Sequence, residues 1–443
     1  MALLTIQIVT TLITLGFSYY YFRFGFLFMF LVILNVLLVA PFFLIYFDLA
    51  GYVSVYTALH TRVDSKVTLA FDDSTRPVIY MILGQWSIFI GYLCSIAFLR
   101  RRRSKKSESI YELAPRERSL AAGVMHTLMW LCFSYLLIRF VLVPDFPILA
   151  FLLNGGNNLR DIAYAYGTSE GFYPFRPSIV QQFTRIGVPL IMLYSYVLWK
   201  NGMSKGIFVI AMVLLTVLLA IGTFKRTPIV YLVLWAFLFI AVLNPRFKMA
   251  NIMKFGALAF AGTTFMTILY THDYMEGLNS ILTRIMIGEA RGQYLAFLHY
   301  GTTIEFEHFN LAVDYARKVL GQDVMAFSER WKIVTGGTRG FTSIGAVAET
   351  YVSFGYAGLG LLVGYGIVLG QLDRLAMRYM TPVTRPIITG LIGVVAFSST
   401  KGVLSQLFTG GTLFLLAALI LAAAMTPRKA ALQGYAWRSE ATP

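Results

Sequence analysis

Cationic side chains and one carboxylate stand out against an otherwise apolar chain. Between Thr271 and Gly355 the sequence carries Arg284, Arg291, Arg317, Lys318, Arg330, Lys332 and Arg339, and the same segment ends in an apolar stretch, Phe341 to Gly355, that holds Glu349. Arg160 follows Asn158-Leu159, Arg185 stands at the start of an apolar run, Lys225 and Arg226 share a short turn before Pro228, and Lys401 follows Ser399-Thr400. Guanidinium groups stay charged at any ordinary pH and grip phosphate oxygens two at a time. A ring of such groups suits a pyrophosphate. A carboxylate in apolar surroundings either pairs with a cation or is tuned toward base work, and both roles are open for Glu349.

Each of these residues also has an ordinary use. Lys225 and Arg226 could snorkel into lipid headgroups, and Lys401 and Arg185 could anchor helix ends. Arg160, Arg284, Arg291 and Arg339 fall in loops, where an arginine is usually solvated. Together they are harder to dismiss because of where the elements place them.

The elements follow from composition. The chain has 443 residues, 58% of them hydrophobic and 13% charged, with a mean hydropathy of +0.69. A soluble domain carries about 25% charged residues. An all-α polytopic membrane protein is expected, forming one integral domain over residues 1–443. A span needs roughly 20 apolar residues, and about eleven runs qualify: 3–21, 25–47, 79–99, 121–143, 184–200, 206–223, 228–244, 253–271, 356–373, 384–400 and 403–425. The first run leads straight into the second without a small-residue cleavage site and reads as a span.

Orientation follows from Lys and Arg, which concentrate on the cytoplasmic side. The densest basic loop, 100–120, holds Arg100 to Arg103, Lys105, Lys106, Arg116 and Arg118. Lys200 with Lys205, Arg246 with Lys248 and Lys254, Arg374 with Arg378, and Arg428 with Lys429 fall on the same side. Loops 48–77, 144–183 and 271–355 are then outside, where basic residues are normally sparse. The net charge of +16 accordingly reads as a topology determinant, and no nucleic-acid partner is expected. In the largest outer loop Leu278, Ile281, Leu282 and Ile285 recur at helical spacing. Arg284 and Arg291 would share one face of an amphipathic helix on the outer leaflet.

Other chemistries are not called for. Cys94 and Cys132 both fall in apolar runs, so no disulfide is expected. The chain has no nucleotide-binding glycine loop, and its five histidines lack zinc spacing. Asp72-Asp73 is the one candidate for a metal. No cofactor or metal is expected.

In order and sidedness these features resemble the O-antigen polymerase family, the Wzy-type oligosaccharide repeat-unit polymerases. The resemblance covers roughly residues 145–425 and rests on degenerate motifs: Asn158-Leu159-Arg160, Phe224-Lys225-Arg226, the Arg-bearing outer loop, the Gly340–Gly355 helix running into Tyr356-Ala-Gly-Leu-Gly, and Ser399-Thr400-Lys401. It implies a GT-C-like glycosyltransferase of the bacterial inner membrane with its active site facing the periplasm. Such an enzyme joins undecaprenyl-pyrophosphate-linked repeat units of O-antigen, capsule or exopolysaccharide, without a metal and with inversion. A chain-length-regulating co-polymerase is the implied protein partner. On that reading Glu349, Arg291 and Arg339 are catalytic, while Arg160, Arg185, Lys225, Arg226, Arg284 and Lys401 hold pyrophosphate or glycan. An O-antigen ligase uses the same donor and is the near alternative. A lipid-linked oligosaccharide flippase is the farther one, and it would carry its charges near mid-bilayer.

Overall fold

A backbone in apolar surroundings must close its hydrogen bonds within its own segment, so the apolar runs demand helices. The computed structural model describes residues 2–22, 26–46, 75–100, 115–142, 147–148, 152, 162, 177–223, 226–243, 250–271, 273–275, 277–278, 292–293, 296–297, 299–302, 304–319, 322, 344–378, 384–404 and 411–425. Within them the chain is mostly helical and has no strand.

In chain order, α1 is Ala2–Phe22, and α2 (Phe26–Leu34) passes through a π-helical turn (Asn35–Val39) into α3 (Ala40–Tyr46). Next come α4 (Arg76–Arg100) and α5 (Pro115–Leu142). The helix α6 (Pro177–Gln182) leads through a second π-helical turn (Phe183–Gly187) into α7 (Val188–Lys200). It is followed by α8 (Gly206–Gly222), α9 (Arg226–Leu243), α10 (Ala250–Thr271) and α11 (Asn310–Val319). Last are α12 (Ala346–Phe354), α13 (Gly358–Arg378), α14 (Thr384–Ser399) and α15 (Thr412–Met425).

Four stretches among the described residues are long and apolar enough to cross a membrane: Ala2–Tyr20, Arg76–Ser95, Ala122–Arg139 and Ala346–Arg374. Every apolar run expected as a span carries helix, several in pieces shorter than a full crossing. Among the described residues of the run expected at 403–425, helix covers Thr412–Met425 and begins directly after Gly411 at φ +89°. Proline explains many of the starts. Pro115 and Pro177 are first residues, and Pro77, Pro228 and Pro386 lie in a first turn, where the missing N–H has no intrahelical partner to lose.

Proline also explains the two π-helical turns. Each lies just before a proline within the run, Pro41 after Asn35–Val39 and Pro189 after Phe183–Gly187. A proline inside a helix lacks an N–H and crowds the carbonyl four residues back; widening the preceding turn relieves that crowding without ending the helix.

The chain forms two compact units, residues 1–103, 282–374 and 395–412 in the first, and 104–281, 375–394 and 413–443 in the second. In the first unit α4 is the most enclosed of the long apolar helices, with 61% of its apolar window buried against 22% for α1. It packs backbone to backbone on α13. A Cβ on Gly91 would stand 2.0 Å from the Val363 carbonyl oxygen, and one on Gly366 2.1 Å from that of Ile88. Gly84 against Leu362 and Gly370 against Ser95 continue the seam. The end pairs, Gly84 with Leu362 and Ser95 with Gly370, run in the same order along both helices, so α4 and α13 are parallel. That relative direction is the one the Lys/Arg asymmetry expects for these two runs. Gly360 and Gly364 meet nothing within 4 Å. Gly358, Leu362, Gly366 and Gly370 meet α4 at successive turns, and Gly360 and Gly364, two residues away, lie on the opposite face of α13.

A polar stripe on α1 completes this unit. Gln7, Thr10, Thr14 and Ser18 recur at helical spacing and are buried. Thr11 donates to Asn35 Oδ1 at 3.0 Å, and the Trp86 indole donates to Thr10 Oγ1 at 3.1 Å. In apolar surroundings, hydroxyls that bond across helices act as specific contacts.

In the second unit α7 packs on α5, α8 and α9. The Trp235 side chain, fully buried, is a hub: its ring lies against Gly390, and its indole N–H donates to the Arg185 carbonyl at 3.0 Å. That carbonyl would ordinarily bond the N–H four residues on, which is Pro189 and has none. The indole takes the place of the missing donor.

Candidate functional site

The site is built around α12, a nine-residue helix bracketed by two glycines with positive φ, Gly345 at +75° and Gly355 at +58°. Side-chain-bearing residues rarely adopt that conformation, so each glycine marks an enforced break. The first break has no room either, since a Cβ on Gly345 would approach Leu38 Cδ1 to 3.0 Å and the Gln293 amide carbon to 3.3 Å. Residues Ala346 to Ser353 are all buried. The helix is thus enclosed on every side.

A second break lies opposite. Helix α14 ends at Ser399, and Ser398, Ser399 and Thr400 are buried. The turn closes with Lys401 N–H on the Ser398 carbonyl at 3.1 Å and Gly402 N–H on Ser399 at 3.2 Å, while the Thr400 hydroxyl donates to the Phe397 carbonyl at 2.7 Å. Helix ends leave carbonyls and N–H groups without intrahelical partners, and here the two breaks supply each other. The Ala346 N–H donates to the Thr400 carbonyl at 2.9 Å, and the Leu404 N–H donates to Glu349 Oε2 at 2.7 Å.

Glu349 is 1% exposed. Its carboxylate faces the Thr400–Leu404 turn, and the Ser353 hydroxyl donates to its backbone carbonyl at 2.9 Å. Lys401 stands on the turn that this carboxylate holds. Its side chain is half-buried, with Nζ 5.3 Å from the centre of the Phe397 ring, within the range of a cation–π attraction. Among the described residues, Glu349 and Lys401 are the two expected site residues that the structure brings to one place.

Arg185 belongs to the second unit. It lies in the π-helical turn before α7, half-buried, with its guanidinium carbon 6.0 Å from the centre of the Tyr231 ring. Arg226 opens α9 in the same unit. Arg160, Lys225, Arg284, Arg291 and Arg339 lie outside the described residues, as do Asp72 and Asp73. Both cysteines are free, Cys94 exposed and Cys132 buried. Among the described residues no three His, Cys, Asp or Glu side chains gather as ligands for a metal.

Behind α12, on the side away from Glu349, lies an aromatic cluster that the sequence reading did not single out. Tyr80 of α4 is fully buried, with its ring centre 5.0 Å from Tyr351 and 5.7 Å from both Phe297 and Tyr356. Its hydroxyl lies 3.2 Å from Thr350 Oγ1. Gly358 provides the space: a Cβ there would come within 2.6 Å of the Tyr80 hydroxyl. The recurrence of tyrosine on both sides of Gly355 was the available signal. Nothing in it pointed to Tyr80, some 270 residues earlier.

A short loop leans on the end of α12. Glu307 and His308 N–H donate to the Val352 and Ser353 carbonyls at 2.9 and 2.8 Å, satisfying acceptors at the helix C-terminus. Tyr300 donates to Glu307 Oε1 at 3.2 Å. Burial holds His299, in the same loop, below the usual histidine range, because desolvation disfavours the imidazolium.

The chain matches no protein-family model, no curated protein and no solved structure. Its functional reading therefore rests on its own residues.

Proposed function

We propose that the chain is an integral-membrane glycosyltransferase that polymerises undecaprenyl-pyrophosphate-linked oligosaccharide repeat units at the outer face of the bacterial inner membrane. The observation that carries this reading is the collection of cationic residues in segments expected outside the membrane. Its structural support is the Lys401 turn held on the buried Glu349 carboxylate.

The reaction needs one displacement. A hydroxyl oxygen of the incoming lipid-linked repeat unit bonds to the anomeric carbon at the reducing end of the growing chain, on the face opposite the pyrophosphate. The bond from that carbon to the pyrophosphate oxygen breaks, and its electron pair leaves with undecaprenyl pyrophosphate. The hydroxyl proton is released to water on the attacking side, and the pyrophosphate leaves as an anion. Configuration at the carbon inverts. Lys401, Arg291 and Arg339 stabilise the charge that grows on the leaving group, and Arg284 binds it. Cations already in position need no reorganisation as the bond breaks. With its carboxylate turned to a backbone N–H and 1% exposed, Glu349 acts in this reading as a positioning residue for Lys401 and not as the base.

The test is a deletion strain whose surface glycan is separated on a gel, complemented with Arg291→Ala, Arg339→Ala and Lys401→Met. Collapse of a ladder to a single repeat in the deletion, with no ladder restored by the variants, supports the reading. Loss of even the single repeat, with lipid-linked glycan accumulating outside, makes the protein a ligase. The same loss with accumulation inside makes it a flippase.

A further inference from the structure

One surface of the first unit has a chemistry unlike that of the cationic residues proposed to hold pyrophosphate. At the junction of α12 and α13 the Tyr356 ring is 48% exposed, although its inner edge is packed against Tyr80 at 5.7 Å and Tyr351 at 6.2 Å, both edge to face. The break beneath it is rigid. Gly355 is at φ +58°, and a Cβ there would meet the Phe306 ring at 2.8 Å. Phe306 in turn lies 5.8 Å from Tyr351. On either side of Phe306 stand two carboxylates, Glu305, exposed, and Glu307, half-buried. Arg76, exposed at the start of α4, is within electrostatic reach of Tyr351.

Tyr356 stands in the short turn Gly355–Ala357 that joins α12 to α13, two residues before α13 begins. Around it Gly301, Thr302, Glu305 and His308 are exposed, and a carboxylate at such a position is costly against lipid. A fixed aromatic face presents an apolar plane to the C–H side of a sugar ring, while neighbouring carboxylates accept hydrogen bonds from hydroxyls. The same carboxylates repel phosphate.

We infer that Tyr356, with Glu305, Glu307 and Arg76, forms a stacking subsite for a hydroxyl-rich glycan ring, separate from the cationic residues that hold pyrophosphate. This rests on the reading above, which makes a lipid-linked oligosaccharide the substrate. It adds where a sugar of that substrate docks.

The experiment uses the full-length protein in nanodiscs of phosphatidylethanolamine and phosphatidylglycerol. The probe is the soluble repeat-unit oligosaccharide released by mild acid from the producing strain's own polysaccharide. Saturation-transfer NMR and titration give contact and affinity. The expected result is that Tyr356→Phe binds within about twofold of wild type, whereas Tyr356→Ala is weaker by about tenfold or more. Glu307→Gln, which leaves the ring in place, loses severalfold. Wild-type affinity in Tyr356→Ala overturns the subsite and leaves the polymerase reading intact. No binding by wild type, in a strain whose ladder depends on the gene, does the same. If deletion leaves the ladder unchanged, the polymerase reading fails and the subsite with it. Quenching of a Tyr356→Trp fluorophore by brominated lipid tails assigns the ring to the membrane and also overturns the subsite.

Discussion

The Leu404 N–H donates to Glu349 Oε2 at 2.7 Å, across 55 residues of sequence. This one bond ties a buried carboxylate to the turn that carries Lys401, and it joins two helix breaks that are each incomplete alone. A buried carboxylate needs partners, and a broken helix end needs acceptors and donors. Each meets the other's need here.

Removing the carboxylate should expose that dependence. Glu349→Ala leaves the Leu404 N–H without its acceptor and is expected to cost about 2 kcal/mol, whereas Glu349→Gln retains an acceptor and loses about half as much. Thermal unfolding of the detergent-solubilised protein measures both. For the positioning role, Glu349→Gln should keep partial polymer synthesis with an unshifted pH profile. Complete loss of synthesis in a folded Glu349→Gln protein would instead favour direct proton transfer.

The glycine seam between α4 and α13 gives a sharper structural test. Gly91→Ala and Gly366→Ala place a methyl against a carbonyl oxygen at 2.0 and 2.1 Å, and neither backbone can give way without separating the helices. Each should destabilise by about 2 kcal/mol or more. Gly360→Ala and Gly364→Ala, in open space, should stay within about 0.5 kcal/mol. Equal melting temperatures for all four would mean that the seam is looser than described.

Trp235 and Pro189 should be coupled through the Arg185 carbonyl. Trp235→Phe removes the donor that replaces the one proline lacks, at a cost of about 1–2 kcal/mol. Pro189→Ala restores an N–H four residues after Arg185, so Trp235→Phe should cost less in that background. A double-mutant cycle on unfolding free energies gives the coupling; strict additivity would show that the two donors do not share an acceptor.

His299 makes stability depend on pH. Burial lowers its folded pKa below the unfolded value of about 6.5, so the unfolded chain binds the extra proton first. This contribution is fully present above about pH 6.5, is lost as pH falls below it, and levels off beneath the folded pKa. His299→Gln should flatten that part of the melting-temperature profile. A variant with an unchanged profile would assign the dependence to other groups.

Much of the architecture was legible in the residues themselves. Apolar runs of the right length impose helices because no other backbone conformation satisfies its polar groups in apolar surroundings, and prolines at the starts announced several boundaries. Gly355, read as the end of a short helix carrying Glu349, is that end. The role of each glycine in the Tyr356–Gly366 stretch was not legible: contact with α4 depends on which face of α13 meets it, and spacing alone could not separate the face of Gly366 from that of Gly364. Likewise, the sequence by itself determined that Glu349 is a lone carboxylate in apolar company and that Lys401 interrupts an apolar run, since both follow from local composition. Only the tertiary structure decided that the Glu349 carboxylate bonds the turn that carries Lys401, that Tyr80 supports Tyr351 and Tyr356, and that Trp235 donates to the Arg185 carbonyl four residues before Pro189. These are contacts between distant segments, fixed by which helix faces pack together, and no local spacing encodes them.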